Sequence, residues 1–173
     1  MSPVYPPHII PVAVSTRPCS STVVTGDGVA AIRIGAPASA VKRACRVLSD
    51  RTELGDEALP QRVLQVQVAG QTLNVEPDKG RVWRVTVDSP KFRTADGIGV
   101  GSTLADLLRD GQASGLEDEG NLFIVSASHC SMSFQLDYEP KDDEHRANWA
   151  AADLAKLPPR SKVTQVLLVG CKR

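Results

Sequence analysis

Three histidines and a neighbouring cysteine carry the most reactive side-chain chemistry in this sequence. His8, His129 and His145 could each act as a general base or a metal ligand. None has a second His or Cys at the spacing of a zinc site on one helix face. His129 directly precedes Cys130, and such a pair could form a thiolate–imidazole couple. A disulfide at Cys130 would exclude that chemistry.

Two acidic runs and one glycine-rich run are weaker candidates for ligand binding. The runs 117–119 and 142–144 could attract a cation, but they lack the regular oxygen-ligand spacing of a calcium loop. The glycines of 97–101 lack the following Lys and Ser or Thr of a phosphate-binding loop. We therefore expect solvated loops and a structural corner, with no metal and no cofactor.

Composition and charge argue against several classes of function. The 173 residues contain 20 Lys plus Arg and 20 Asp plus Glu, so no net field favours nucleic acid or an anionic membrane. No apolar run reaches the roughly 20 residues of a membrane helix, and the first fifteen residues do not resemble a signal peptide. We expect a protein partner, no nucleic acid, no membrane span, and a monomer or weak dimer.

A glycine corner followed by a helix start occurs twice in the chain. Gly35 forms the first corner, and Pro37 suits the first turn of the helix after it, where its missing N–H costs nothing. Gly101 forms the second corner. Thr103 is the expected N-cap there, with Asp106 completing a capping box three residues later.

Three strands are predicted after each helix from an alternation with period two. They cover 63–68, 72–76 and 81–87 after the first helix, and 122–127, 131–138 and 162–169 after the second. Between the last two, residues His145 to Leu157 have helical spacing, and the prolines that follow would end that helix.

The recurring order predicts an α+β fold built from two α-β-β-β repeats. These would form one antiparallel sheet with the helices packed on one face and an inserted helix in the second repeat. Residues 1–27 are expected to form an extended, proline-rich arm. The first repeat is assigned to 28–90 and the second to 91–173, with the helical insertion at 139–160.

Four widely spaced cysteines suggest two disulfides in an exported protein; buried thiols in a cytosolic protein are the alternative. The last two strands of the second repeat should be antiparallel neighbours. That arrangement brings Cys130 and Cys171 to the same end of the pair, and leaves Cys19 to pair with Cys45. We expect a periplasmic or secreted protein whose signal peptide is not part of this sequence.

The two helix starts, 34–41 and 100–107, resemble those of small exported helix-plus-sheet modules, which include the small lipoprotein of the outer-membrane barrel-assembly machinery. A tandem of such units is similar to the secreted β-lactamase-inhibitor proteins, and the chain also resembles uncharacterised exported bacterial proteins. The resemblance covers about residues 28–173. It implies an open, concave sheet that binds another protein.

Strand alternation divides the side chains between two faces of the predicted sheet. The face under the helices is expected to carry Leu64, Val66, Leu73, Val75, Trp83, Val85, Met132, Phe134, Leu136, Val166 and Leu168. The opposite face mixes amides with apolar side chains, and its candidate binding residues are Gln65, Gln67, Asn74, Arg84, Phe123, Val125, Gln135, Gln165 and Leu167. Exposed apolar groups with a polar rim often mark a contact surface. An ordinary solvated face, or a face covered by the arm or the insertion, is the alternative.

These observations favour a non-enzymatic exported binding protein, either an inhibitor or an envelope accessory factor, that uses the open sheet face. No catalytic residues are assigned. The alternative is a small-ligand carrier or a hydrolase-like enzyme with a site between the repeats near His129, Asp137 and His145.

Overall fold

The computed structural model describes residues 19–55 and 57–171. Within these residues strands occupy 46% and helices 13%, so the fold is mainly β. The predicted α+β class, with two repeats each led by a substantial helix, is therefore wrong. The histidine at position 8 and most of the predicted N-terminal arm lie outside the described residues.

Two antiparallel sheets make up the structure. The small one has the order β1-β2-β3, formed by Val24–Thr25, Gly28–Val29 and Ile32–Arg33. The large one has nine strands in the order β11-β8-β9-β10-β12-β7-β6-β5-β4. Its strands are β4 (Arg46–Leu54), β5 (Pro60–Val68), β6 (Gln71–Asp78), β7 (Arg81–Val87), β8 (Ala113–Asp118), β9 (Asn121–Ser126), β10 (Met132–Leu136), β11 (Asn148–Trp149) and β12 (Val163–Leu168).

The helices are short. They are α1 (Ala38–Ala44), α2 (Leu104–Leu108) and α3 (Ala151–Leu154), with a 3₁₀ turn at Ala127–His129. The predicted capping box of α2 is present, because the Thr103 side chain accepts from the Asp106 N–H while the Asp106 carboxylate accepts from the Thr103 N–H. No described helix has the length and apolar character needed to cross a bilayer.

Helices α1 and α2 are each followed by a strand that was not predicted from the sequence. Strands β4 and β8 occupy residues for which no strand is predicted, before the strands expected at 63–68 and 122–127. Cys45 is already extended, with φ −128° and ψ 156°, so α1 ends at Ala44. Strand β4 is largely exposed but pairs with β5 from Arg46 to Leu54. Its conformation therefore depends on a partner strand rather than on local propensity.

The predicted insertion helix is also wrong. Only α3 is helical in the interval 145–157, and it is preceded by β11, which pairs with β8. Trp149 is 2% exposed and Leu154 is fully buried, so this segment closes the end of the large sheet. Gly115 makes the close approach possible, because a Cβ atom there would lie 2.8 Å from the Cβ of Trp149.

Strands β7 and β12 join the two halves of the large sheet, with Val85 opposite Leu168 and Val87 opposite Val166. Strands β4 to β7 lie on one side of this seam and the other strands on the opposite side. The predicted domain boundary at residue 90 stays a prediction.

The core lies on the face that also contacts α1 and α2. Buried residues of both helices, including Val41 and Leu104, belong to the same apolar cluster as the sheet. The residues predicted for this face are buried except one: Leu64, Val66, Leu73, Val75, Val85, Met132, Phe134, Leu136, Val166 and Leu168. Trp83 is the exception at 41% exposure, and Val82 is buried in its place at 1%.

The disulfides are Cys19–Cys45 and Cys130–Cys171, with Cα–Cα distances of 5.6 and 5.5 Å. This is the pairing expected from the strand geometry. The first attaches the start of the described chain to the end of α1. The second attaches the end of β12 to the segment before β10, beside the small sheet, where the Gly170 N–H donates to the Gly26 carbonyl at 3.0 Å.

Candidate binding groove

A polar groove crosses the open face of the large sheet. It encloses about 330 Å³, and we call it the sheet groove. Its walls come from both halves of the sheet and contain Glu53, Val63, Asn74, Glu76, Arg84, Thr86, Asp118, Glu119, Asn121, Phe123, Gln135, Gln165 and Leu167. Six of the nine predicted binding residues are among them.

The remaining three predicted binding residues do not line the sheet groove. The Gln65 side chain accepts a hydrogen bond from the Ser49 hydroxyl at 3.0 Å. Gln67 lines a separate depression beside the Cys19–Cys45 disulfide. Val125 is half-buried in β9, opposite Ser114.

Cross-strand register produces the floor of the sheet groove. Phe123, Gln135 and Gln165 are direct neighbours on β9, β10 and β12, so they form one row across three strands. Directly opposed side chains on one face lie close enough to interact. The Gln135 amide also donates to the Asn121 side-chain oxygen at 2.9 Å, which fixes its orientation.

A second row lies beside the first. Asn74, Thr86 and Leu167 are direct neighbours on β6, β7 and β12. The floor therefore presents amide and hydroxyl groups next to the apolar side chains of Phe123 and Leu167. Such a surface offers hydrogen bonds and apolar contact together, as protein interfaces do.

Glu76 occupies one wall of the sheet groove and is 6% exposed. Its carboxylate accepts from the Arg84 guanidinium, with Nη2 at 2.9 Å from Oε1 and Nε bonded to Oε2. The Gln61 amide donates to Oε1 as well. A carboxylate this deeply buried requires such donors, because its charge is otherwise poorly solvated.

The groove continues into a wider pocket around Trp83. This pocket, the Trp83 pocket, encloses about 650 Å³ and shares Arg84, Asp118 and Glu119 with the sheet groove. Its other lining residues are Gly55, Glu57, Leu59, Pro60, Gln61, Arg62, Pro77, Asp78 and Trp83. The Arg84 guanidinium carbon lies 4.7 Å from the centroid of the Trp83 ring.

A β-bulge places Trp83 in this pocket. Glu76 is opposite Arg84 and Pro77 is opposite Val82, so Trp83 is an extra residue in β7. An extra residue reverses the alternation beyond it, which puts Trp83 and Arg84 on the open face and Val82 in the core. Pro77 lacks an N–H and cannot complete a regular ladder, so it was the sequence signal for this irregularity.

The β8–β9 hairpin brings two carboxylates to the Trp83 pocket. Its tip is a two-residue turn in which Glu119 and Gly120 have φ of 49° and 78°. Positive φ at both central residues is the hairpin turn that matches strand twist. Asp118 and Glu119, interpreted from the sequence as solvated loop residues, therefore face the same cavity as Arg84.

The combined surface has an excess of negative charge. Among the described residues, the sheet groove and the Trp83 pocket together contain six carboxylates, those of Glu53, Glu57, Glu76, Asp78, Asp118 and Glu119. They contain two guanidinium groups, and each is already bonded to a carboxylate: Arg84 to Glu76 and Arg62 to Asp50. The chain has no net charge, so this concentration of carboxylates is local.

The alternative site near His129, Asp137 and His145 is divided among separate contacts. His129 is bonded through Nε2 to the Asp96 carboxylate at 2.9 Å and contacts the Phe134 ring edge-on. The Asp137 carboxylate accepts the Lys162 N–H at 2.8 Å. His145 is bonded to Glu117. The disulfide at Cys130 removes the thiolate considered beside His129.

Electrostatics at these histidines follow from the same contacts. Hydrogen bonds from the Thr94 hydroxyl and His129 hold the pKa of Asp96 below its usual range. The bond between Glu117 and His145 lowers the pKa of the carboxyl and raises the pKa of the imidazole. Such mutual shifts are those of an ordinary ion pair.

Another pocket, of about 490 Å³, lies between Tyr138 and the α3 region. Trp149 lines it, and Arg146 stacks over the indole at 4.6 Å. The buried indole N–H of Trp149 has no hydrogen-bond partner among the described residues. Within residues 19–55 and 57–171, no three His, Cys, Asp or Glu side chains are grouped to hold a metal ion.

No protein-family model matches the chain, and no curated protein sequence matches it. Among solved structures, the uncharacterized protein YfeY from Escherichia coli has a similar fold, with a TM-score of 0.61 and 17% sequence identity. The similarity covers 86% of this chain and 99% of YfeY. At this identity it shows a shared β-rich fold and says nothing about ligands.

Proposed function

We propose that the chain is an exported binding protein that holds a polypeptide segment across the sheet groove. The observation that supports this proposal most strongly is the composition of the groove floor. There, rows of amide, hydroxyl and apolar side chains cross five strands beside a buried ion pair. A polypeptide presents both hydrogen-bonding groups and apolar side chains, so it can use this mixed surface.

Charge narrows the class of partner. The surplus of carboxylates around the groove disfavours nucleic acid and anionic lipid, and it favours a segment with positive charge. Two disulfides support an exported protein, since such bonds persist in oxidising compartments. The resemblance noted from the sequence to the secreted β-lactamase-inhibitor proteins, whose concave sheet binds an enzyme, supports the same type of function. An inhibitor and an envelope accessory factor both fit this description.

The proposal is tested by selecting peptides on the immobilised full chain. A library of random peptides of about 12 residues is long enough, when extended, to cross several strands. Selected peptides should lose binding to Phe123→Ala, which removes apolar floor, and to Gln165→Trp, which fills the groove. They should keep binding to Leu48→Ala, a matched change at an exposed apolar residue outside both cavities. A library that yields no peptide, or peptides indifferent to both groove variants, would overturn the proposal.

A further inference from the structure

We propose that the Trp83 pocket receives an arginine or lysine side chain of the polypeptide bound in the sheet groove. This inference rests on the proposed function, because the pocket opens onto the groove through Arg84, Asp118 and Glu119. It adds the chemical class of the residue by which the partner is recognised.

An exposed indole with apolar neighbours forms one side of the pocket. Trp83 is 41% exposed and Leu59 is 62% exposed, and Pro60 and Pro77 line the same cavity. Long cationic side chains pack their aliphatic stems on apolar surface while the charged end remains near polar groups. Tryptophan is also the aromatic side chain that attracts cations most strongly.

The fold already contains the interaction that the pocket offers to a partner. The guanidinium of Arg84 lies over the Trp83 ring and is bonded to a carboxylate at the same time. A cationic side chain of a partner could make the same two contacts, with the indole and with a carboxylate, on the outer side of the pocket. Tryptophan and arginine are the side chains most often found at energetic centres of interfaces.

The carboxylates of the pocket supply charge complementarity. Within the part of the chain that the structure describes, Asp78, Asp118 and Glu119 form no salt bridge. Glu76 and Asp50, by contrast, each bond to an arginine. Three carboxylates without a cationic partner beside an exposed indole repel an anionic residue and attract a cationic one.

The experiment compares the residues enriched in peptides selected from the same random library by four forms of the full chain. The wild-type chain should enrich one position in arginine or lysine about threefold or more over the input library. The Trp83→Ala variant should select peptides without that enrichment. The double variant Asp118→Asn, Glu119→Gln should show a smaller enrichment than the wild-type chain. Asp142→Asn with Asp143→Asn removes the same charge from an exposed loop outside both cavities and should leave the enrichment unchanged.

A synthetic peptide from the selection then separates charge from shape. Replacing its enriched arginine by neutral, nearly isosteric citrulline should weaken binding to the wild-type chain by about tenfold and leave binding to Trp83→Ala unchanged. Equal binding of the two peptides to the wild-type chain, or enrichment that survives Trp83→Ala, would overturn this inference. Phe123→Ala could fail to select any peptide while Trp83→Ala selects the same peptides as the wild-type chain. That result would support binding in the sheet groove and reject the Trp83 pocket as a cation site.

Discussion

Arg84 donates two hydrogen bonds to the carboxylate of Glu76, a charged side chain that is almost fully buried. The pair holds β6 to β7 on the open face and supports the bulge that presents Trp83. It therefore connects the stability of the sheet with the shape of the proposed binding surface.

Removing the cation of this pair should destabilise the fold. In Arg84→Ala the Glu76 carboxylate keeps only the donor from Gln61, so we expect the free energy of unfolding to fall by about 2–4 kcal/mol, measured by urea denaturation. The matched control is Arg51→Ala, which breaks the exposed pair with Glu53 and should cost about 0–1 kcal/mol. An equal loss of unfolding free energy in the two variants would show that the Glu76–Arg84 pair is not shielded from solvent.

The bulge predicts different solvent access for the two tryptophans. Trp83 should be quenched readily by acrylamide while Trp149, which is 2% exposed, is protected. Trp83→Phe should therefore abolish the quenchable fraction of the fluorescence. Because carboxylates surround Trp83, caesium ions should quench it more strongly than iodide at low ionic strength, and added salt should reduce the difference. A protected Trp83 would mean that β7 has a regular register.

Each disulfide should contribute substantially to stability. The bridges close loops with sequence separations of 26 and 41 residues. Replacing either pair by serine should lower the free energy of unfolding by about 2–4 kcal/mol, as judged by thermal and urea unfolding under non-reducing conditions. Peptide mapping without reductant should recover Cys19 linked to Cys45. A linkage of Cys19 to Cys130 would contradict the described topology.

The pair of His145 and Glu117 predicts a specific pH dependence. Hydrogen bonding to Glu117 raises the pKa of His145 above its ordinary value of 6.5, so an NMR titration of the imidazole should give a midpoint above that value. Glu117→Gln should return the midpoint toward 6.5.

The sign of the stability effect follows from linkage. The contribution of His145 is fully present below pH 6.5 and is lost as the pH rises through the raised pKa of the folded state. The contribution of Glu117, whose pKa is lowered, is present above its ordinary value and is lost as the pH falls through the folded value. If the pKa of His145 in the wild-type chain is not raised above 6.5, the hydrogen bond between His145 and Glu117 is contradicted.

Strand alternation predicted most of the buried face, because side-chain direction follows from a period of two wherever the ladder is regular. It placed Trp83 in the core because the alternation that holds from Arg84 onward does not continue back through the extra residue in β7. Pro77, which lies opposite Val82, cannot complete a regular ladder, but a proline does not specify which of two paired strands contains the extra residue.

The larger error concerned β4 and β8, and it changed the fold class. Arg46–Leu54 is polar and mostly exposed, so neither apolar spacing nor composition marks it as a strand. Its hydrogen-bonding partner β5 starts after an intervening loop, and such pairing is decided by tertiary structure.

Part of the candidate site could be predicted and part could not. Gln135, Gln165 and Phe123 were assigned to the open face from their own strands. Asp118 and Glu119 join the site only because the β8–β9 hairpin faces strands from the other half of the sheet. That contact depends on the curvature of the assembled sheet, which the periodicity of individual strands does not encode.

The measurement that tests the central claim most directly is NMR chemical-shift mapping of one selected peptide on the ¹⁵N-labelled full chain. The account predicts that the largest shifts fall on the groove floor around Phe123, Gln135 and Gln165 and extend to Trp83, including its indole N–H. The indole N–H of Trp149 should remain unshifted. Shifts confined to the helix-covered face or to the edge strand β4, with the groove residues unchanged, would contradict the proposal that this chain binds polypeptides through its open sheet face.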